Sequence, residues 1–321
     1  MRRFLAAFGK SAFCAALVSV LAISAMAQVA LRDAIDADND NKADFIVFRP
    51  TDSNWYTLTS SGQIRSQAFG VHNTDFMVPG DYDADGIGDI AVWRETTGEW
   101  FRVFSSTQTY SSALWGVPGD EPVARDYDGD GKTDMAVVRR SGGLMTWYLF
   151  LSANNGIVSR VFGNATDFTA PGDYNGDGKF DFAVQRPGAT PTSAATWYVQ
   201  TDVSFDSYIF GQTNDLIAPG DYDGDGRTDL AIIREGATPT SVLQWIVRRS
   251  SDGVTQAPFS WGVTGTDLNV QNDYDGDGKT DYAVWRNTDG MFYVFNPASG
   301  AITAVHWGAP NDFPVASYDT H

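Results

Sequence analysis

Short apolar runs recur along the chain at a regular spacing. They occupy residues 45–48, 90–93, 135–138, 182–185, 230–233 and 282–285. Four residues long and rich in β-branched and aromatic side chains, they predict strands buried on both faces. Each is followed by an arginine: Arg49, Arg94, Arg139, Arg186, Arg234 and Arg286. A polar turn comes next, then an aromatic pair opening a second strand (Trp55-Tyr56, Trp100-Phe101, Trp147-Tyr148, Trp197-Tyr198, Phe292-Tyr293, with Trp245-Ile246 the variant). A third strand ends in an aromatic-glycine step at Gly70, Gly116, Gly163, Gly211, Gly262 and Gly308. An aspartate follows each step, at 75, 120, 167, 215, 267 and 312, and a fourth short strand, typified by residues 77–80, completes the unit. No helical period interrupts the pattern.

Between units lies a nine-residue pattern, Asp-x-Asp-x-Asp-Gly-x-x-Asp, beginning at Asp36, Asp81, Asp126, Asp173, Asp221 and Asp273. Successive starts are 45, 45, 47, 48 and 52 residues apart, the period of a four-stranded propeller blade. A unit this small cannot bury its faces alone, and closing the stack into a ring removes exposed sheet edges. The expected fold is therefore all-β: a β-propeller of six four-stranded blades closed by a C-terminal strand, with seven blades still open. Residues 313–319 resemble the start of another repeat and offer the closing strand; residues 29–35 offer an alternative.

The Phe-Gly steps, Ala170-Pro171-Gly172, Ala218-Pro219-Gly220 and loops such as residues 221–226 resemble the FG-GAP (VCBS-type) repeat family, with its integrin-alpha-like repeats. The resemblance covers nearly all of residues 28–321. It implies a propeller whose Asp-rich loops bind calcium, a fold used in adhesion receptors, lectins and accessory domains of secreted enzymes; it speaks to fold far more than to activity.

The loop chemistry points the same way. Calcium takes six to eight oxygens and is served by carboxylates, amide oxygens and backbone carbonyls. Positions 1, 3, 5 and 9 give the side-chain ligands, and position 7 a backbone carbonyl. The expected sets are Asp36, Asp38, Asp40, Lys42, Asp44; Asp81, Asp83, Asp85, Ile87, Asp89; Asp126, Asp128, Asp130, Lys132, Asp134; Asp173, Asn175, Asp177, Lys179, Asp181; Asp221, Asp223, Asp225, Arg227, Asp229; and Asp273, Asp275, Asp277, Lys279, Asp281. Glycine at position 6 suits a left-handed turn; the first loop has Asn41 there, the next best residue for it. Asn175 carries one charge fewer than the aspartate it replaces, so the first and fourth sites are expected to be weaker. The absence of histidine and cysteine from the loops disfavours zinc, and without Glu at position 12 or a following helix the loops are not EF-hands. About six structural Ca²⁺ ions are expected.

Residues 1–27 read as a signal peptide: Arg2, Arg3 and Lys10 precede an apolar run and an Ala25-Met26-Ala27 cleavage site. The expected location is secreted or periplasmic, by the Sec or the twin-arginine route, with residues 28–321 as one domain. The only cysteine, Cys14, falls in the leader, so the mature chain has no disulfide and metal is the natural substitute. Removing three basic residues takes the formal charge from −18 to −21, which argues against nucleic-acid partners; no later segment suits membrane insertion.

Features present in every blade read as architecture. Each recurrent arginine is expected to form a charge-assisted bond to an aromatic-glycine aspartate, for instance across a blade boundary, and the aromatic pairs to pack blades rather than stack on sugars. Function is sought where blades differ: the matching insertions at residues 188–193 and 236–241, on the face opposite the loops, and the segment 251–260. No catalytic motif of the nucleophile-elbow, metalloprotease or phosphate-loop type is present, and no catalytic residue is singled out. The favoured reading is a non-catalytic recognition or adhesion module for a glycan or a surface protein. A structural scaffold and a polysaccharide hydrolase or lyase stay open as alternatives.

Overall fold

The computed structural model describes residues 35–316. The expected leader and cleavage site, Cys14, the alternative closing segment before Ile35, and the chain end from residue 317 lie outside the described residues. The described chain forms six four-stranded antiparallel sheets, with no helix. Among the described residues, no helix is long and apolar enough to cross a membrane.

Blade 2 shows the plan. Its strands are Asp75–Met77, Ile90–Arg94, Glu99–Val103 and Tyr110–Leu114, hydrogen-bonded in chain order. Strands equivalent to Asp75–Met77 in neighbouring blades line one shared cavity, so they face the ring axis. Burial follows position in the blade. The second strand is covered on both faces, which is why its sequence is an unbroken apolar run; Ala91, Val92 and Trp93 are all buried. The third strand alternates, and the outer strand is largely exposed.

Six blades close the ring, not seven. The closing strand is the C-terminal one: Phe313–Pro314 pairs with Phe45–Arg49, making blade 1 from both ends of the described chain.

The aromatic-glycine step explains how blades fit together. The glycines have positive φ, such as +89° at Gly70 and +122° at Gly308. A Cβ on Gly70 would lie 3.0 Å from Val92 of the next blade, and one on Gly308 3.3 Å from Val47. The left-handed conformation requires glycine, and the close contact adds to the cost of any Cβ. The carbonyl just before the glycine accepts an indole N–H. Trp55, Trp100, Trp147, Trp197 and Trp245 donate to Phe69, Trp115, Phe162, Phe210 and Trp261 at 2.8–3.2 Å. Blade 6 has Phe292 in place of this tryptophan, and there Trp285 donates to the Trp307 carbonyl. These tryptophans and Phe292 are all at most 2 % exposed, so they are packing residues as expected.

All six arginines meet their aspartates, but within a blade rather than across a boundary. Asp75 and Arg94 are opposite one another on adjacent strands, and Arg94 Nε and Nη2 each bond one carboxylate oxygen at 2.8 Å. The same forked pair recurs at Asp120–Arg139, Asp167–Arg186, Asp215–Arg234, Asp267–Arg286 and, closing the ring, Asp312–Arg49. What reaches the boundary is the aspartate's other bond. Its Oδ2 accepts the N–H just after the glycine, on the connection arriving from the preceding blade. Five of the guanidiniums also lie over the second ring of the aromatic pair, 4.3–4.6 Å from its centroid. In blade 5 that ring is Ile246.

Asp167 is fully buried, while Arg186 keeps about a third of its side chain exposed. Asp167→Ala leaves the Asn164 N–H and the guanidinium without their acceptor, and should lower stability by about 2 kcal/mol in chemical denaturation. Replacing the exposed Glu95 by alanine should leave the midpoint unchanged.

Candidate metal centres

Each Asp-rich loop leads into the buried second strand, in blades 2 to 6 from the inner strand, and curls around its own first aspartate. In blade 5, Asp221 Oδ1 accepts the Gly224 N–H at 2.6 Å and Oδ2 the Gly226 N–H at 2.8 Å. The fifth residue of every loop accepts the N–H of the seventh at 2.9–3.0 Å. The ninth accepts the N–H of the second at 2.6–3.0 Å. Its other oxygen reaches the turn between the third and outer strands, accepting from Ser60, Ser105, Ser152 or Ser250 in blades 1, 2, 3 and 5. Loop and turn thus form one pocket at one end of each blade. Asn41 has φ +65°, the left-handed conformation expected of it.

The carboxylates converge. Oxygens of Asp36, Asp38 and Asp40 lie within 4.8 Å of one another, as do those of Asp81, Asp83 and Asp85, and of Asp221, Asp223 and Asp225. In blades 3 and 6 the converging sets are Asp126, Asp128, Asp134 and Asp273, Asp275, Asp281. These clusters could hold metal ions. A more specific sign lies in the third residue: Oδ1 of Asp38, Asp83 and Asp128 is buried without a hydrogen-bond partner. Asp281 Oδ1 is likewise bare, because the turn facing it carries Pro297, which has no N–H to give. A buried carboxylate oxygen with no donor is costly. A hard cation is the partner that would satisfy one in each of four blades, and the all-oxygen donor set fits calcium in kind. The Ile87 carbonyl, a position-7 group, is 3.5 Å from the Ser105 hydroxyl, which also bonds Asp85, so that carbonyl borders its cluster.

Burial also shows in the carboxylate acidities. Desolvation raises Asp126 and Asp173 to about 6, Asp44, Asp89, Asp134, Asp221 and Asp229 to about 7, and Asp181 and Asp281 to about 8. Asp36 and Asp81 rise for the same reason.

The turn residues were not singled out from sequence. Hydroxyls of Ser60, Ser105, Ser152 and Ser250 bond the fifth-position aspartates Asp40, Asp85, Asp130 and Asp225, and Asn296 takes this place in blade 6, bonding Asp275 and Asp277. Blade 4 has Asp202 where four other blades have serine. Its Oδ1 accepts from Asn175 Nδ2 at 3.2 Å. Among the described residues the fourth loop forms no such cluster of three converging carboxylates, and Asp202 stands across the pocket beside Asn175. The signal was an acidic residue at a turn position that is elsewhere serine or proline.

The loops are also joined to one another. In every loop the eighth N–H donates to the carbonyl of the first residue of the preceding loop. The six bonds are Gly88 to Asp36, Thr133 to Asp81, Phe180 to Asp126, Thr228 to Asp173, Thr280 to Asp221 and Ala43 to Asp273, at 2.6–2.8 Å. The candidate centres form a closed hydrogen-bonded circle on one face.

Residues 126–184, one full repeat and the loop after it, match the FG-GAP-like repeat family. The protein is a six-bladed β-propeller in which this one stretch matches the FG-GAP-like repeat. No curated protein matches the chain in sequence. Among solved structures it is similar to a triple arginine-to-alanine mutant of AofleA from Arthrobotrys oligospora, at 9% identity, TM-score 0.53 and 90% coverage of both chains. It is also similar to a streptogramin B lyase at 8% identity, TM-score 0.49 and 86% coverage of both chains, and to the Dos1 propeller at 13% identity and TM-score 0.43, covering 84% of this chain and 68% of that one. At these identities the likeness concerns the fold alone.

Two outcomes are expected. A carboxylate raised by burial favours the folded state while protonated. That stability is complete below the unfolded value of about 3.9 and is lost as pH rises through the folded values of about 6 to 8. The chelated protein should therefore melt at progressively lower temperature between pH 5 and 8, and a metal that binds the ionised loops should flatten or reverse the trend. Separately, Asp202→Ser should reduce the number of ions bound in calorimetry by one while leaving the chelated protein's melting temperature nearly unchanged.

Proposed function

We propose that this is an exported, calcium-loaded recognition propeller without catalytic activity. The observation that carries the metal part is the bare, buried third-position oxygen aimed into the clusters of blades 1, 2 and 3. In this reading the first, third, fifth and ninth side chains, with Asp202 in blade 4 and the position-7 carbonyls, hold about six Ca²⁺ ions. The ions add +12 and bring the mature charge from −21 to about −9. Their chemistry is electrostatic: each neutralises carboxylates that otherwise repel one another in a desolvated pocket. At free calcium twentyfold above the dissociation constant each independent site adds about 1.8 kcal/mol, a staple suited to a mature chain without disulfides.

The recognition part is supported by where the carboxylates are. Among the described residues, every buried carboxylate is either a first or ninth loop residue or an aromatic-glycine aspartate bonded to its arginine. None is left as a buried acid or base for sugar-bond cleavage. The two insertions lie between the second and third strands of blades 4 and 5, at the opposite end from the metal loops. They therefore vary the face that metal does not occupy, the usual place for recognition on a rigid scaffold. A glycan or an extracellular surface protein is the proposed partner class.

The test is thermal unfolding of the mature protein in calcium, in magnesium and in chelator, with ion counting by calorimetry. The expected result is a calcium-specific rise in melting temperature with about six ions bound. An equal response to magnesium, or none, would overturn the metal assignment. Binding on a glycan and surface-protein array in calcium buffer, without turnover of the bound glycan, is the expected functional result.

A further inference from the structure

The inner strands of blades 2 to 5 line an open cavity of about 580 Å³, within the range of small-molecule sites. Its upper rim is on the insertion face. Thr213 and Asn214 line it, and both are tied to the first insertion: the Thr213 hydroxyl accepts from the Gly188 N–H, and the Asn214 N–H donates to the Pro191 carbonyl. An insertion that varies between blades thus buttresses the mouth of this cavity.

The wall differs from blade to blade at one register position, the residue after the conserved aspartate on each inner strand. The occupants in the wall are Phe76, Glu121, Phe168 and Leu216 for blades 2 to 5. Phe76 and Phe168, on the two blades flanking Glu121, are 40% and 49% exposed although they stand in a concave wall. The aspartate before them is constant and architectural; these rings are neither. A large apolar ring left in water at a pocket wall is unfavourable until something covers it.

The charges in the wall select what covers it. Arg140 is not one of the six recurrent arginines. Its Nε and Nη2 are taken by Glu121 at 2.5 and 2.9 Å, and its Nη1 by the Ala165 and Asp167 carbonyls at 2.9 and 2.6 Å. That cation is fully used and offers nothing to an anion. Arg125, also in the wall, donates to the Ala124 carbonyl and sits 5.8 Å from the Phe180 ring centroid. Asp215 is held by Arg234. Glu235 is the carboxylate in the wall with no ion-pair partner, and it is exposed. Aromatic faces carry negative potential and attract cations, and the whole chain is acidic, which draws cations towards a cleft.

We propose that the axial cavity binds a small organic cation, an amine or quaternary ammonium on an apolar body, with Phe76 and Phe168 covering the body and Glu235 facing the charge. The inference rests on the recognition reading above and gives it a site and a ligand chemistry.

The experiment is calorimetric titration of the full mature chain, in calcium buffer, with benzyltrimethylammonium, with choline, with 3,3-dimethylbutan-1-ol as the neutral isostere of choline, and with benzoate as the anion. The cations are expected to bind, choline at least tenfold more tightly than its isostere. Phe168→Ala should weaken benzyltrimethylammonium at least tenfold and Glu235→Gln at least threefold, with calcium stoichiometry and melting temperature unchanged. Equal affinity for alcohol and choline, preference for benzoate, no binding of any probe, or cation binding untouched by Phe168→Ala would each overturn the proposal. The glycan and surface array run beside it separates the two ideas. Array binding without cation binding would move recognition to another surface and sink only the axial site; cation binding without array binding would keep the site and sink the glycan or surface-protein partner.

Discussion

Everything in this ring depends on how closely one blade's edge approaches the next at the aromatic-glycine step. The backbone of each glycine lies against a branched side chain of the following blade's buried strand, Val92 under Gly70 and Val47 under Gly308, so closely that a Cβ would have to push that side chain aside. The interlocked groups around it all serve that approach. An indole N–H satisfies the carbonyl just before the glycine, an aspartate satisfies the N–H just after it, and an arginine fork with an aromatic floor holds the aspartate. Buried backbone groups must be paired, and at a junction this tight water cannot do it. The recurrent residues of the repeat are the protein's way of pairing them.

The opposite face solves a different problem with the same regularity. Loops that gather four carboxylates in little space fold by giving most oxygens to backbone N–H groups of their own chain and of the facing turn. What remains is a small number of oxygens that the polypeptide does not satisfy. Those leftovers, rather than the abundance of aspartate, are what distinguish a metal cup from an acidic turn. The two faces are therefore divided in labour: one is standardised by the Asp-rich loops and the circle of inter-loop bonds, the other carries the insertions.

Much of this could be read from the sequence, because a six-fold repeat exposes each constraint six times. The Arg94–Asp75 type of pair, the buried tryptophans and the left-handed Asn41 all follow from residue type and spacing. The details that escaped depend on which strands become neighbours. Asp and Arg separated by 19 residues proved to be cross-strand partners within one blade, and spacing alone did not decide between that and a boundary contact. Asp202 is 27 residues from Asn175, in a turn whose role as the lid of the loop emerges only once the sheet is formed. Phe76 and Phe168 read as ordinary strand apolars until the ring places their strands around a shared axis.

The pairing of Phe313–Pro314 with Phe45–Arg49 has a consequence in time. Blade 1 borrows its inner strand from a segment synthesised some 260 residues after its own second strand; Arg49 waits for Asp312 across a sequence separation of 263. Contacts this remote are slow to form because a long loop must close before they give any return. A ribosome-bound chain can assemble the middle blades as they emerge, but the first blade stays open-edged until nearly the whole chain has been made. Closing the ring therefore means bringing together the two ends of the described chain.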